Sequence, residues 1–113
     1  LYEDQVIRTH WIKKEYHAYH FGTKILDNIL GEKKFNFPKS VHLIEDILKL
    51  ITKKNNSIIL DFFAGSGTTG HAVLNLNKKD GGNRRFILCT NNENEICEEV
   101  TYPRVKNVMK CFV

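Results

Sequence analysis

The chain has 113 residues, 42% of them apolar and 27% charged, and a formal net charge of +4 with histidine counted neutral. That length holds one small domain with a single core, and the apolar share excludes a disordered chain. No apolar run reaches the roughly 20 residues of a membrane span, and the modest positive charge permits an anionic partner without requiring one.

The opening stretch, LYEDQVIRTH, is too polar for a secretory signal. With Leu1 at the start and Met109 as the sole methionine, the chain is expected to be a piece of a longer protein. Residues 1–22 mix Trp11, Tyr16, Tyr19 and Phe21 with His10, Lys13, Lys14, His17 and His20. Basic residues among aromatics suit either a nucleic-acid surface or a peripheral loop. His17 and His20 have the spacing of one helical turn but no cysteine or well-placed carboxylate beside them, so no metal site is expected. Thr23 to Leu30 reads as a short helix with Thr23 as N-cap and Gly31 as its stop. Lys33 to Ser40 reads as extended, because Pro38 biases Phe37 away from helical torsions. Ser40 then caps a second helix with Val41, Ile44, Ile47, Leu48 and Ile51 on its apolar face and Glu45, Asp46 and Lys49 outward. Asn55-Asn56 is read as a turn into the next strand.

The most informative stretch is SIILDFFAGSGTTGHAVLNL, Ser57 to Leu76. Ile58-Ile59-Leu60 has the length and β-branched character of a buried strand, ending in Asp61. Gly65-Ser66-Gly67 turns the chain, and a helix begins at Thr68. Such a turn leaves backbone N–H groups free and lets a ligand approach the main chain closely. Gly65, Gly67 and Gly70 also satisfy G-x-G-x-x-G, weak evidence for a dinucleotide. Asp61 opposes that reading, since a carboxylate there repels a pyrophosphate but attracts a cationic amine such as that of S-adenosylmethionine. A P-loop is excluded because the turn has no lysine. An ordinary strand-to-helix turn capped by serine or threonine is the plain alternative. A polar loop, Lys78 to Asn83, leads to a second strand, Phe86 to Cys89. The last segment is read as helical, with Glu95, Glu98 and Glu99 toward its start, Arg104, Lys106 and Lys110 toward its end, and Pro103 opening a second helix. Strand, helix and strand form a βαβ unit, so the fold class is α/β. Cys89, Cys97 and Cys111 are odd in number and form no C-x-x-C pair, which favours reduced thiols in a cytoplasmic protein.

DFFAGSGTT at Asp61–Thr69, preceded by FNFPKSVHLIEDIL and followed by LNKKDGGNRRFIL, resembles the C-terminal part of β-class DNA amino-methyltransferases, most of all the modification subunit of type III restriction-modification systems. The resemblance covers about residues 23–110. It implies a partial Rossmann-like, S-adenosylmethionine-dependent methyltransferase fold. Residues 1–34 would then be the end of a target-recognition region with a linker helix, and residues 35–113 the cofactor-binding part. Carried over position by position, Asp61, Phe63, Ala64, Gly65, Ser66 and Gly67 fall on the cofactor motif, and Thr68 and Thr69 on its extension. Lys39 and Ser40 match the segment beside the methionine carboxylate. Phe62 stands where many relatives have proline. Thr90 or Asn91 stands where the family places an acidic residue for the ribose hydroxyls, with Glu93 close behind. The family's methyl-transfer motif, [ND]-P-P-[YF], is absent, because the only prolines are Pro38 and Pro103. No catalytic residue is therefore expected within the chain, and the chain alone is expected to be inactive. The implied function is that of a fragment of a site-specific DNA adenine-N6 methyltransferase. Its implied partners are double-stranded DNA, a restriction subunit and a second copy of itself. A non-catalytic nucleic-acid-binding module and a nucleotide-dependent oxidoreductase fragment are the alternatives.

Overall fold

The computed structural model describes residues 9–112, so the polar opening at residues 1–8 lies outside the described residues. Four α-helices, α1 (Lys24–Leu30), α2 (Val41–Ile51), α3 (Thr68–Asp80) and α4 (Tyr102–Cys111), accompany two strands, β1 (Asn55–Asp61) and β2 (Asn83–Leu88). The strands pair in parallel, Ile58 opposite Arg85 and Asp61 opposite Leu88, with α3 as the connection between them. The result is a small mixed helix–strand domain around a two-stranded parallel sheet.

The core lies between α2, α3 and one face of the sheet. Val41 and Leu48 of α2 meet Ala72, Val73 and Leu76 of α3, and Ile44, Ile59 and Phe86 pack against them. The spacing of these residues places each set on one helical face, and removing them from water is the main stabilising term. Gly70 lets α3 approach closely: a Cβ there would lie 2.9 Å from Leu88 Cδ1 and 3.2 Å from Phe86. The third glycine of the motif is thus a packing residue.

Several local expectations are corrected. The central strand is only half-buried, on one face, and Ile58, Leu60 and Ile87 on the other face are each at least half exposed, because no described element covers that side. Asn55-Asn56 belongs to β1 instead of a turn, with Asn56 at φ 65° where the register slips. Thr23 is not an N-cap: a π-helical turn, Tyr19–Thr23, runs directly into α1, with Thr23 at helical torsions. Gly31 does stop α1, in the left-handed region at φ 78°. Phe37 also takes a positive φ, 57°, so the segment 33–40 bends where an extended path was expected. Ser40 stands at the N-cap of α2 without a capping bond, and its hydroxyl instead donates to Glu15 O at 2.5 Å. Glu45 is not outward but buried, because Lys79 and Asn75 of α3 reach its carboxylate. Pro103 lies in the first turn of α4, where its missing N–H is no loss, and a π-helical turn, Cys97–Thr101, leads into it.

Candidate functional site

Everything about the glycine turn follows from the way β1 hands over to α3. The sheet ladder continues past the strands, with Cys89 N–H donating to Asp61 O at 2.8 Å and Ala64 N–H to Cys89 O at 3.0 Å. This pins the turn to the end of β2. The Asp61 carboxylate accepts from Phe63 N–H at 2.9 Å and from the Thr69 hydroxyl at 2.6 Å, so its orientation is fixed from both sides. Gly65 at φ 51° and Gly67 at φ 81° occupy the left-handed region that glycine adopts without steric cost. From behind, Thr101 donates to Gly65 O at 2.5 Å and packs against Gly67. The N-cap of α3 is Gly67, with no side-chain cap. The first N–H groups of the helix therefore have no side-chain acceptor, the arrangement that suits an anionic ligand group.

Against this turn lies a cavity of about 230 Å³. Of the residues singled out in the sequence, Lys39, Asp61, Phe63, Ala64, Gly65, Ser66, Thr68 and Thr69 all line it. Gly67 is in the turn but not on the wall, and buried Ser40 is turned toward Glu15. Thr90 and Asn91 are not on the wall either. Four wall residues went unmarked by the sequence: Phe35, Phe37, Pro38 and Ile44. The signal that would have found three of them is the F-x-F-P run itself, an apolar cluster in a polar linker. Phe37 is 86% exposed and at positive φ, a costly combination for an aromatic residue that points to a functional position. Phe35 also borders a neighbouring cavity of about 490 Å³, where Asn36, Glu93, Asn94 and Glu99 supply polar groups.

Beneath the turn is a buried polar group that the sequence marks only as a cation toward a helix end, whereas it lies in the first turn of α4. Arg104 of α4 has no exposed surface, and among the described residues no carboxylate pairs with it. Its guanidinium donates to Ser66 Oγ at 3.2 Å, Thr68 Oγ1 at 3.0 Å, Ser66 O at 3.4 Å and His71 Nδ1 at 3.1 Å. Burial lowers the Arg104 pKa to about 10, still charged at neutral pH. Burial first, then the charge of Arg104, holds His71 down at about 3, so its imidazole is a neutral acceptor. Only the fold joins α4 to the turn, and no local pattern in the sequence marks the contact.

The cavity brings a cation, an anion and free backbone donors around a space too small for a whole nucleotide-sized ligand and suited to one end of it. Among the described residues no helix is long and apolar enough to cross a membrane. Residues 2–101 match the family model described as DNA methylase, of the N6/N4 type. The chain is 52% identical over 83 residues to the type III restriction-modification enzyme EcoPI Mod subunit of Escherichia phage P1, covering 74% of this chain and 12% of that protein. It is 41% identical over 93 residues to the StyLTI Mod subunit of Salmonella typhimurium, covering 79% of this chain and 14% of the relative. The type II methyltransferase M.KpnI of Klebsiella pneumoniae is 41% identical over 86 residues, with 76% of this chain and 20% of the relative covered. The chain thus spans a fifth or less of the length of each of these relatives. Matched over most of its residues by the family model and by these relatives, the chain belongs to the N6/N4 DNA methylase family.

Proposed function

We propose that this chain is the S-adenosylmethionine-binding C-terminal part of a site-specific DNA adenine-N6 methyltransferase of a type III restriction-modification system. The observation that carries the reading is that Lys39 and Asp61 border one cavity at the glycine turn. A cation and an anion on one small cavity complement a zwitterion, the amino-acid end of the cofactor. Asp61 faces its ammonium, and Lys39 with the first N–H groups of α3 faces its carboxylate. Gly65 also suits the turn by conformation, since its φ of 51° lies in the left-handed region that a side chain strains. The neighbouring cavity, reached past Phe35, takes the nucleoside, with Glu93 in place of the acidic strand-end residue for the ribose diol. Thr90 and Asn91 then contribute through the backbone path that sets Glu93, as Asn91 Oδ1 accepts from Glu93 N–H at 3.3 Å.

When bound, the cofactor supplies the methyl group. This chain's residues orient its amino-acid end and hold the turn rigid, while the base-binding motif comes from the rest of the protein. The parallel pair with α3 between its strands is one part of a Rossmann-like sheet, whose ligands lie across the carboxyl ends of the strands. The half-exposed face of Ile58, Leu60 and Ile87 supports this, since further elements of such a domain cover it. In this reading residues 35–113 are the cofactor-binding part and residues 1–34 the end of the recognition region. Double-stranded DNA, a restriction subunit and a second Mod copy are the partners of the whole, which works in the cytoplasm. Calorimetric titration with S-adenosylhomocysteine and with NAD tests the reading in Asp61→Asn. The variant keeps an acceptor for Phe63 N–H but loses the charge. Affinity for the adenosyl amino acid should fall about tenfold to a hundredfold, the worth of a charge-assisted bond. Unchanged affinity, or binding of NAD alone, would remove the proposed role.

A further inference from the structure

The geometry points to Arg104 as a positioning residue that turns the Ser66 and Thr68 hydroxyls into donors aimed at the carboxylate end of the ligand. The inference rests on the cofactor reading above and deepens it. Arg104 carries only N–H donors, and it directs them at both hydroxyl oxygens, 3.2 Å from Ser66 Oγ and 3.0 Å from Thr68 Oγ1. Each hydroxyl thereby accepts from Arg104 and keeps its own hydrogen to donate elsewhere. The two oxygens are 3.2 Å apart, so one O–H is used between them. The second hydrogen has no acceptor among the described residues, and both residues line the 230 Å³ cavity. A ligand oxygen is the group that completes the set, and an anionic one completes it best.

The charge of Arg104 acts in the same direction. It is fully buried, has no carboxylate partner among the described residues, and its remaining contacts, His71 Nδ1 and Ser66 O, are neutral acceptors. A buried charge without a counter-ion is costly, and such a group is kept where something gains from its field. An anion on the far side of the Ser66–Thr68 wall neutralises it through one layer of hydroxyls. The arrangement gives the turn a preference for carboxylate over neutral ligands that the backbone N–H groups alone do not supply.

The test compares S-adenosylhomocysteine with its decarboxylated form, which keeps the nucleoside, sulfur and amine. Both are titrated into the intact protein carrying Arg104, Arg104→Lys or Arg104→Met. The expected result is a loss of about tenfold or more for the carboxylate ligand in Arg104→Met. The decarboxylated ligand should change by less than about twofold, and Arg104→Lys should restore part of the difference. Equal losses for the two ligands would mean that Arg104 only props the turn, and no loss would mean that its charge is not felt; either overturns the inference. If the native protein binds neither ligand, the cofactor reading fails and this one with it, a result distinct from the other two. Should Arg104→Met not fold, Ser66→Ala combined with Thr68→Val removes the relay while leaving the charge. The loss should then again fall on the carboxylate ligand, and an equal loss for both would overturn the relay.

Discussion

At His71 a 7% exposed imidazole accepts from Arg104, and this fixes the charge of the ring. Its pKa is lowered from 6.5 to about 3 by burial and then by the charge of Arg104. The folded state therefore keeps His71 neutral where the unfolded chain begins to protonate it. Between pH 6.5 and about 3 the unfolded state binds the extra proton, so stability falls as pH falls through that window and the effect is complete near pH 3. Moving from pH 7 to pH 5, the native chain should lose about 2 kcal/mol more than His71→Gln, whose amide oxygen replaces the acceptor without titrating. Urea unfolding at the two pH values measures the difference. Identical losses would show that the imidazole is charged in the fold and does not accept from Arg104.

The element that aligns one wall of the cavity is the π-helical turn Tyr19–Thr23, docked on Pro38 and Lys39. Gly22 makes the docking possible, because a Cβ there would lie 2.4 Å from Pro38 O and 3.0 Å from Lys39 O. Both are backbone atoms, so Gly22→Ala must shift the segment as a whole. We expect a cost of about 1–3 kcal/mol in denaturant unfolding and weaker ligand binding through the displaced Lys39. A fully stable variant with native affinity would mean that this contact does not set the wall. The same element shows why parts of the molecule were legible and others not. Strand, glycine turn and helix are contiguous, so Asp61 to Thr69 could be read from local pattern alone. Lys39 came from a family resemblance, and the structure brings it to the same cavity. Arg104, His71 and the burial of Glu45 depend on contacts 30 or more residues apart, which periodicity does not encode. The torsions of Phe37 are not legible because the preference imposed by Pro38 is local, whereas the left-handed bend brings Phe37 to the cavity.

On the scale of the whole molecule, the two-stranded sheet is covered by helices on one face and leaves apolar Ile58, Leu60 and Ile87 exposed on the other. Relatives of which this chain spans 12–20% have most of their length elsewhere. On the proposed reading, the chain holds the amino-acid end of the cofactor without the strands expected to border its methyl group. Weak binding follows, on the order of 0.1–1 mM, or about −4 to −5.5 kcal/mol. Heteronuclear NMR on the labelled chain, titrated with S-adenosylhomocysteine, reads both the affinity and the place. Saturable shifts in that range should be largest at Lys39 and from Asp61 to Thr69, with smaller ones around Glu93. Absence of saturable shifts at millimolar ligand, or shifts that bypass Asp61 to Thr69, would contradict the assignment of the glycine turn as the cofactor site.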